Sequence, residues 1–578
     1  MSQTWRTLWP ADLWTDQVLV GIDEYLADPA TQAELRHADA HAEYPARQLA
    51  ELRRRGVAAL FAEAPGEPSR VTFPHLCALN ALTASWHGSL AVTLGVNALG
   101  LLPVYVAASP ALRAEVFAAV RAGSWAALAL TEQAHGSDVL RNEARARRSA
   151  DGLSYRLSGE KYLINGGSQH DLVLALLRTR PADGTDSGLR ATQDFTVFLL
   201  ERGCGLRPGE RYHTLPVPAA DISGIRLDGA EVGVDRIVGR EGDGFAVVQK
   251  TLAFSRGGVS CFAAGVASRA VALAMRYARD RSVYGAPIAT LAPIADHLLR
   301  AWSCDLAASA MSVKQAAACN ALGLAAAHLT AVAKLCCCDL AERAVREAAA
   351  VLGARALLTD LPFHALLRDV WLFGVFDGTR HVMLEQIQQR LPQLLLREQD
   401  AVAHDPRAAT AIYRAPARRL VDVARMPSRV WLCPSPAQMR ALAAMPGAVD
   451  LAPLAEIASA LLASVAAARH TGAWERDAGL RFDAAQEQAR LEAVVAMVEL
   501  GDPDRRGAAV GPVPAVSWGE AHAARYRYAV AWHALELGQA VQVLALRAGA
   551  QVPALAAALA GAAHALDEAR PAAAVTVQ

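Results

Sequence analysis

The spacing of apolar residues along the chain changes period twice. From residue 15 to about residue 120, apolar positions recur at helical intervals. The segment PARQLAELRRRGVAALFAEA (45–64) sets apolar against basic positions and runs into the breaker pair Pro65-Gly66, which predicts a helix. Residues 85–122 again read as helical, with Gly88, Gly95 and Gly100 permitting close packing. From Trp125 to about Val238 the pattern becomes short apolar runs cut by Gly, Asp and Pro. Asp151-Gly152 separates two candidate strands, ARARRSA and LSYRLSG; DFTVFLL (194–200) alternates like a half-buried strand, and Asp228-Gly229 marks another turn. Helical spacing returns at Gly244 in four long segments, roughly 246–281, 291–319, 323–353 and 378–396, enough for a four-helix bundle. Prolines then crowd residues 400–450, and alanine-rich helices follow, broken near GDPDRRGAAVGPVPAV (501–516).

These changes predict an α+β fold, mostly α, in five segments. Residues 1–122 form an N-terminal helical domain and 123–243 a central β-barrel or sandwich. Residues 244–398 form a helical bundle, 399–450 a linker or irregular stretch, and 451–578 a further helical domain.

Composition changes this picture little. A chain of 578 residues exceeds what one core supports, and 53% hydrophobic with 20% charged residues excludes a disordered protein. The 57 basic and 57 acidic residues cancel, so no field points to a nucleic-acid partner. The N-terminus has no basic start followed by an apolar core, so no secretory signal is expected. Alanine-rich runs near 305–335 and 540–565 carry Asp305, Lys314, Gln315 and Asn320, and Arg547 and Gln551. They read as packed helices of a soluble protein without integral membrane insertion. Nine cysteines contain no CxxC pair, and Cys336, Cys337 and Cys338 would point to three faces of a helix. They read as buried thiols of a reducing cytoplasm, and no metal site is expected.

Five short blocks carry candidate chemistry. LTEQAHGSD (130–138) reads as a strand end entering a Gly-Ser turn, whose backbone N–H groups and the hydroxyls of Thr131 and Ser137 suit anionic or carbonyl groups. GEKYLINGG (159–167) follows the Asp151-Gly152 turn. LDGAEVGVDRIVG (227–239) closes the β region and is followed by EGDGF (241–245). RDRSVYGAPI (279–288) lies within the helical half. LLRDV (366–370) and FDGT (376–379) come last.

In this order and at these separations, the blocks resemble the acyl-CoA dehydrogenase family, whose signatures run LTEPxxGSD, GxKxWITNG, VPxxNxLG, ERxxFGxPI and YEGT. The resemblance spans about residues 20–395. It implies an FAD clasped between the β domain and the bundle, and a homodimer or homotetramer in which a neighbouring subunit helps to bind the flavin. It places Thr131 at the isoalloxazine and Ser137 at the pyrophosphate or the substrate's pantetheine. Leu163, Asn165 and Thr379 join the flavin-binding set, Arg281 pairs with a flavin phosphate, Tyr284 packs nearby, and Arg256 lies on the substrate side. The chemistry implied is α,β-dehydrogenation of an acyl thioester, with a carboxylate removing the α-proton while hydride leaves the β-carbon for the flavin. The position matching the glutamate of YEGT is Asp377.

The chain also departs from the family. Aspartate is one carbon shorter than glutamate, which sets its oxygen back by about 1.5 Å. Leu163 stands where the family has a tryptophan and Asn165 where it has a threonine. The family's QxxGG stretch is AVLGA (350–354), with Ala350 and Ala354 at its polar and glycine positions, and the acid three places before Arg256 is Ala253. Three readings stay open. One is a dehydrogenase of a thioester on CoA or a carrier protein, as in a specialised biosynthetic pathway. The second is a flavin oxidase of another acidic C–H substrate, similar to nitroalkane oxidase, which also uses aspartate as its base. The third is a flavin-free scaffold or partner subunit. The electron acceptor is open in each. His135, His364, His381 and Glu385 are secondary candidates: His381 would lie one helical turn from Asp377 if a helix has begun there, and Glu385 is a fallback base. The C-terminal segment carries no motif and reads as an oligomer-stabilising domain.

Overall fold

The computed structural model describes residues 4–65, 70–179, 191–203, 205–393, 411–426, 436, 439–440, 449–501 and 520–577. Much of the proline-rich segment 399–450, and the break near 501–516, lie outside the described residues. The chain divides into two compact units. One comprises Asp12–Gly258 with Ala417–Pro427; the other comprises Met1–Ala11, Val259–Pro416 and Ser428–Gln578.

The first unit opens with helices whose ends are written in their caps. Asp16 accepts from the backbone N–H groups of Val18 and Leu19 and starts α1 (Gln17–Ala27). Asp28 closes that helix and caps α2 (Pro29–Ala40), with Pro29 in the first turn. The expected helix over 45–64 is instead a short α3 (Ala46–Arg54), stopped at Gly56 (φ 87°) and followed by a 3-10 turn at Val57–Leu60. The left-handed glycine ends the helix before the apolar positions do. Then come α4 (Phe73–Trp86), α5 (Gly88–Ala107) and α6 (Pro110–Ala122). Gly100 of α5 has no room for a side chain: a Cβ there would lie 2.6 Å from the Ala126 carbonyl carbon. The buried Asn97 amide oxygen accepts from Ala126 N at 2.8 Å, so α5 also satisfies the start of the first strand.

The strands are β1 (Ala126–Ala129), β2 (Arg145–Arg148), β3 (Ser154–Asn165), β4 (Leu172–Arg178), β5 (Phe195–Glu201), β6 (Leu206–Arg211), β7 (Ile222–Gly233) and β8 (Ile237–Val238). They form one mixed eight-stranded sheet in the order β6-β7-β3-β2-β4-β5-β8, with β1 parallel to β4. Leu206 near one end and Phe198 near the other share a single hydrophobic cluster with Tyr155, Leu157, Val173 and Ile225, so the sheet wraps over a common core. Strand β5 differs from the half-buried expectation. Phe195 to Leu200 are all buried, because β5 lies between β4 and β8 and is covered on both faces.

Helix α7 (Gly244–Asp280) contributes its first residues to this unit and its remainder, from Val259, to the second. In the second unit it is joined by α8 (Ala292–Leu322), α9 (Ala327–Leu352), α10 (Phe363–Phe373) and α11 (Arg380–Gln388). The segment expected as one helix over 378–396 instead begins at Arg380 and ends at Gln388, and α10 is an additional helix that includes the LLRDV block. The C-terminal helices α12 (Ala452–His470), α13 (Ala478–Gly501), α14 (Glu520–Ala548) and α15 (Pro553–Val577) belong to the same unit. They are tied to the bundle by charge. Buried Lys314 of α8 meets Glu499 of α13 at 3.0 Å, Tyr413 donates to the same carboxylate at 2.8 Å, and Arg343 of α9 forms a two-pronged pair with Glu536 of α14. Arg380 of α11 bonds Asp339 and Gln486. The Lys314–Glu499 pair is fully buried and offsets its desolvation cost only with both partners in place, so it fixes the register of the two helix sets.

Among the described residues, five helices meet the length and apolar content needed to cross a bilayer, more than the two alanine-rich runs singled out above; 56–78% of their apolar windows is buried within the protein. The seven described cysteines are buried free thiols, Cys336, Cys337 and Cys338 among them.

Two buried histidines make stability depend on pH. Burial depresses His170 to about 4, opposed by its 2.8 Å contact with the Ala126 carbonyl, and depresses His533 to about 4, opposed by its contact with the Ser303 carbonyl. Both are neutral in the folded chain, whereas the unfolded chain takes up protons near pH 6.5. Stability is therefore complete above that value and falls as pH drops from 6.5 to 4, by up to about 3 kcal/mol for each histidine. A thermal midpoint measured across this window should fall towards acid, and the slope should flatten in His533→Gln.

Candidate functional site

The LTEQAHGSD block leaves β1 at Leu130 and is held from beneath by the second block. Lys161 of β3, its side chain 0% exposed, donates to Glu132 Oε1 at 2.8 Å and to the Leu130 carbonyl at 3.2 Å. Glu132 also accepts the backbone N–H of Glu143 at 2.6 Å and of Ala144 at 3.1 Å. Burial pulls the Lys161 ammonium below its ordinary pKa, and the Glu132 carboxylate opposes that shift. Neither residue is singled out by the motif reading above. Glu160 stands directly before Lys161 in sequence, so nothing in the local pattern marks the lysine as the buried one.

On this clamp the Thr131 carbonyl accepts from Tyr162 N at 2.9 Å, Thr131 is half-buried, and Ser137 is exposed on the loop. His135 sits 3.6 Å from the Glu143 carboxylate. Beyond Lys161 the register of β3 against β7 slips, and Leu163 takes φ 52° with its side chain about half exposed. Two residues on, both amide atoms of Asn165 are buried with no hydrogen-bond partner. The strand then turns sharply at Gly166 (φ 78°), where a Cβ would lie 2.3 Å from His170 Nδ1. Asp221 holds that turn by accepting from the Ser168 hydroxyl and the backbone of Ser168 and Gln169. Arg202 donates to the carbonyls of Gly167 and His170. Tyr162 meets Tyr212 edge-on at 5.0 Å. Arg256 and Ala253 are both buried on α7.

In the second unit, Arg281 is exposed and follows α7. It opens a two-strand hairpin, β9 (Ser282–Val283) with β10 (Ala286–Pro287), whose tip carries Tyr284 at φ 53° and Gly285 at φ 82°. Tyr284 is 97% exposed at that tip. Ala350 and Ala354 are exposed.

Asp377 stands half-buried at a corner between α10 and α11, with φ 55°, and is followed by Gly378 at φ 100°. Phe376 packs against Phe373, which stacks on Phe262 at 5.6 Å. Buried Lys334 of α9 donates to the Gly378 carbonyl. Thr379 is the N-cap residue of α11, which begins only at Arg380. His381 therefore does not lie one helical turn from Asp377; its ring is 6.3 Å from Phe482. Glu385 accepts from the amides of Gln388 and Gln389, and His364 contacts the Leu361 carbonyl.

Five non-glycine residues have positive φ: Ala42, Leu163, Val217, Tyr284 and Asp377. Three of the five fall in the motif blocks. A left-handed conformation costs such residues about 1–3 kcal/mol and persists where the surroundings over-determine it, as they do at functional sites.

Comparison with known proteins agrees with these blocks. Residues 127–230 match the acyl-CoA dehydrogenase middle domain, and residues 242–391 match the acyl-CoA dehydrogenase C-terminal domain. The chain is 30% identical over 298 residues to the cyclohex-1-ene-1-carbonyl-CoA dehydrogenase of Geobacter metallireducens, covering 51% of this chain and 76% of that one. Its fold is similar to the butyryl-CoA dehydrogenase of Megasphaera elsdenii (TM-score 0.60, 22% identity, 68% of this chain and 99% of that one). It is also similar to an acyl-CoA dehydrogenase of Bacillus anthracis solved with FAD (TM-score 0.74, 16% identity), and that likeness covers 98% of this chain and 95% of the other, so it takes in the C-terminal helices. The sequence blocks, the relatives and the architecture agree: the chain belongs to the acyl-CoA dehydrogenase family of flavoprotein oxidoreductases.

Proposed function

We propose that this protein binds FAD and dehydrogenates an acyl thioester between its α- and β-carbons, with Asp377 as the base. The observation that carries the reading is Asn165. An amide with both its donor and its acceptor buried and unpartnered is costly, and such groups in folded proteins ordinarily meet a partner. Asn165 occupies the position at which the family hydrogen-bonds the isoalloxazine, and its amide can both donate and accept. The residues present thus fit a flavin. Bound FAD would supply the hydride acceptor. Thr131 and the backbone of its loop would orient the ring, with Leu163 offering an apolar edge from its bulge. Ser137 and Arg281 would meet phosphate oxygens, the latter through a planar fork suited to that geometry, and Thr379 would complete the set. Asp377 would take the α-proton at a carboxylate oxygen.

Buried Ala253 supports a thioester whose carrier needs no acid three places before Arg256, such as a carrier protein, with Arg256 on the substrate side. The exposed hairpin tip at Tyr284, with exposed Leu357, Trp371 and Val375 in the same unit, supports a homo-oligomer.

The test is a visible absorption spectrum of the purified protein, with cofactor released by heat and identified. Flavin bands that bleach anaerobically under acyl-CoA or acyl-carrier-protein thioesters are the expected outcome. Hydrogen peroxide under air with a non-thioester acid would favour the oxidase reading instead. A protein that stays colourless after soaking in excess FAD would overturn both.

A further inference from the structure

We propose that Lys334 is a positioning residue for Asp377, fixing the backbone corner on which that carboxylate stands; this rests on the reading of Asp377 as the base. Lys334 lies within the long helix α9, 1% exposed, and its ammonium donates to the carbonyl of Gly378. A buried ammonium is tolerated only where acceptors meet it, and the Gly378 carbonyl is one of them, so the bond tethers the corner to the long, largely buried helix α9. The corner needs a tether. Asp377 and Gly378 are consecutive left-handed residues, at φ 55° and 100°. Glycine adopts this conformation freely, whereas aspartate at φ 55° is strained.

The residue before the corner is anchored by aromatic packing of Phe376 on Phe373 and Phe262. The residue after it is anchored by Lys334. With both anchors in place, the direction of the Asp377 side chain is set by backbone and not by rotamer choice alone. This matters more for aspartate than for the family's glutamate, because a shorter side chain has fewer torsions with which to correct a misplaced backbone. Without the tether, Asp377 can relax to negative φ and carry its carboxylate away.

The test compares the FAD-loaded wild-type protein with Lys334→Met, which keeps the length and apolar stem, and Lys334→Arg, which keeps a donor. Crystal structures are the first readout and need no substrate. The expected result is that in Lys334→Met the Asp377 φ leaves the left-handed region, or its carboxylate shifts by more than about 1 Å, a displacement that suffices to cost about 100-fold in rate. Lys334→Arg should hold the corner. The second readout is the rate of flavin reduction by butyryl-CoA, expected to fall about 100-fold in Lys334→Met at unchanged flavin content, with recovery in Lys334→Arg. Should Lys334→Met not fold, Gly378→Ala strains the same corner with Lys334 in place and should displace Asp377 equally. An unmoved Asp377 in the variant that folds overturns the proposal. Full activity in Lys334→Met alongside a dead Asp377→Asn overturns it while sparing the base, and full activity in Asp377→Asn overturns the base itself.

Discussion

Asp377→Asn should abolish reduction of the flavin by its thioester substrate, lowering the rate by about 10²–10⁴-fold while flavin content and thermal midpoint stay at wild-type values. The substitution keeps shape and hydrogen-bonding size but removes the group that takes the proton. Asp377 is also poised by its backbone, standing at φ 55° on a left-handed corner between α10 and α11. The companion variant is informative because its chemistry is intact. Asp377→Glu restores the family's residue but pushes the oxygen outward by about 1.5 Å. If the corner has been set for the shorter side chain, this variant should be about 100-fold slower, not faster. Stopped-flow reduction of the three proteins side by side decides the matter, and an Asp377→Asn rate equal to wild type would remove this residue from the mechanism.

The second large effect is on stability. Glu132→Ala should cost more than Lys161→Met, and both should fall in the range of about 3–5 kcal/mol that breaking a buried ion pair ordinarily costs. The order follows from the number of groups each variant abandons. Removing Lys161 leaves Glu132 with the backbone donors of Glu143 and Ala144. Removing Glu132 leaves those two N–H groups and a buried ammonium with the Leu130 carbonyl alone. For the same reason a double replacement by apolar residues should not recover wild-type stability. Chemical denaturation of the three variants, read at an unchanged slope, checks the order. The reverse order would mean that the two backbone donors find water.

The fold was legible in the sequence because its periodicities are long. Segments of α7, α8 and α9 exceed twenty residues each, and turn pairs such as Asp151-Gly152 sit between β2 and β3 as hairpin chemistry demands. Where a single residue decides, the pattern misled. Gly56 ends a helix whose apolar spacing continues past it, and Thr379 delays α11, which moves His381 away from Asp377. The candidate site was legible as blocks but not as physics. Lys161, Glu132 and Lys334 are charged residues that a sequence presents as solvated positions, and only the fold reveals that each is buried against named hydrogen-bond partners. The orphaned amide of Asn165 likewise follows from the register slip in β3, which no composition or period announces.

The charged seam between the bundle and the C-terminal helices constrains how this chain could have arisen. Lys314, Arg343 and Arg380 each have their partner on a helix more than a hundred residues downstream. A lineage that shed the tail would leave Lys314 and Arg343 without those carboxylates, whereas Arg380 would keep Asp339. Homologues lacking the tail should therefore carry different residues at the positions of Lys314 and Arg343, not merely fewer residues at the end.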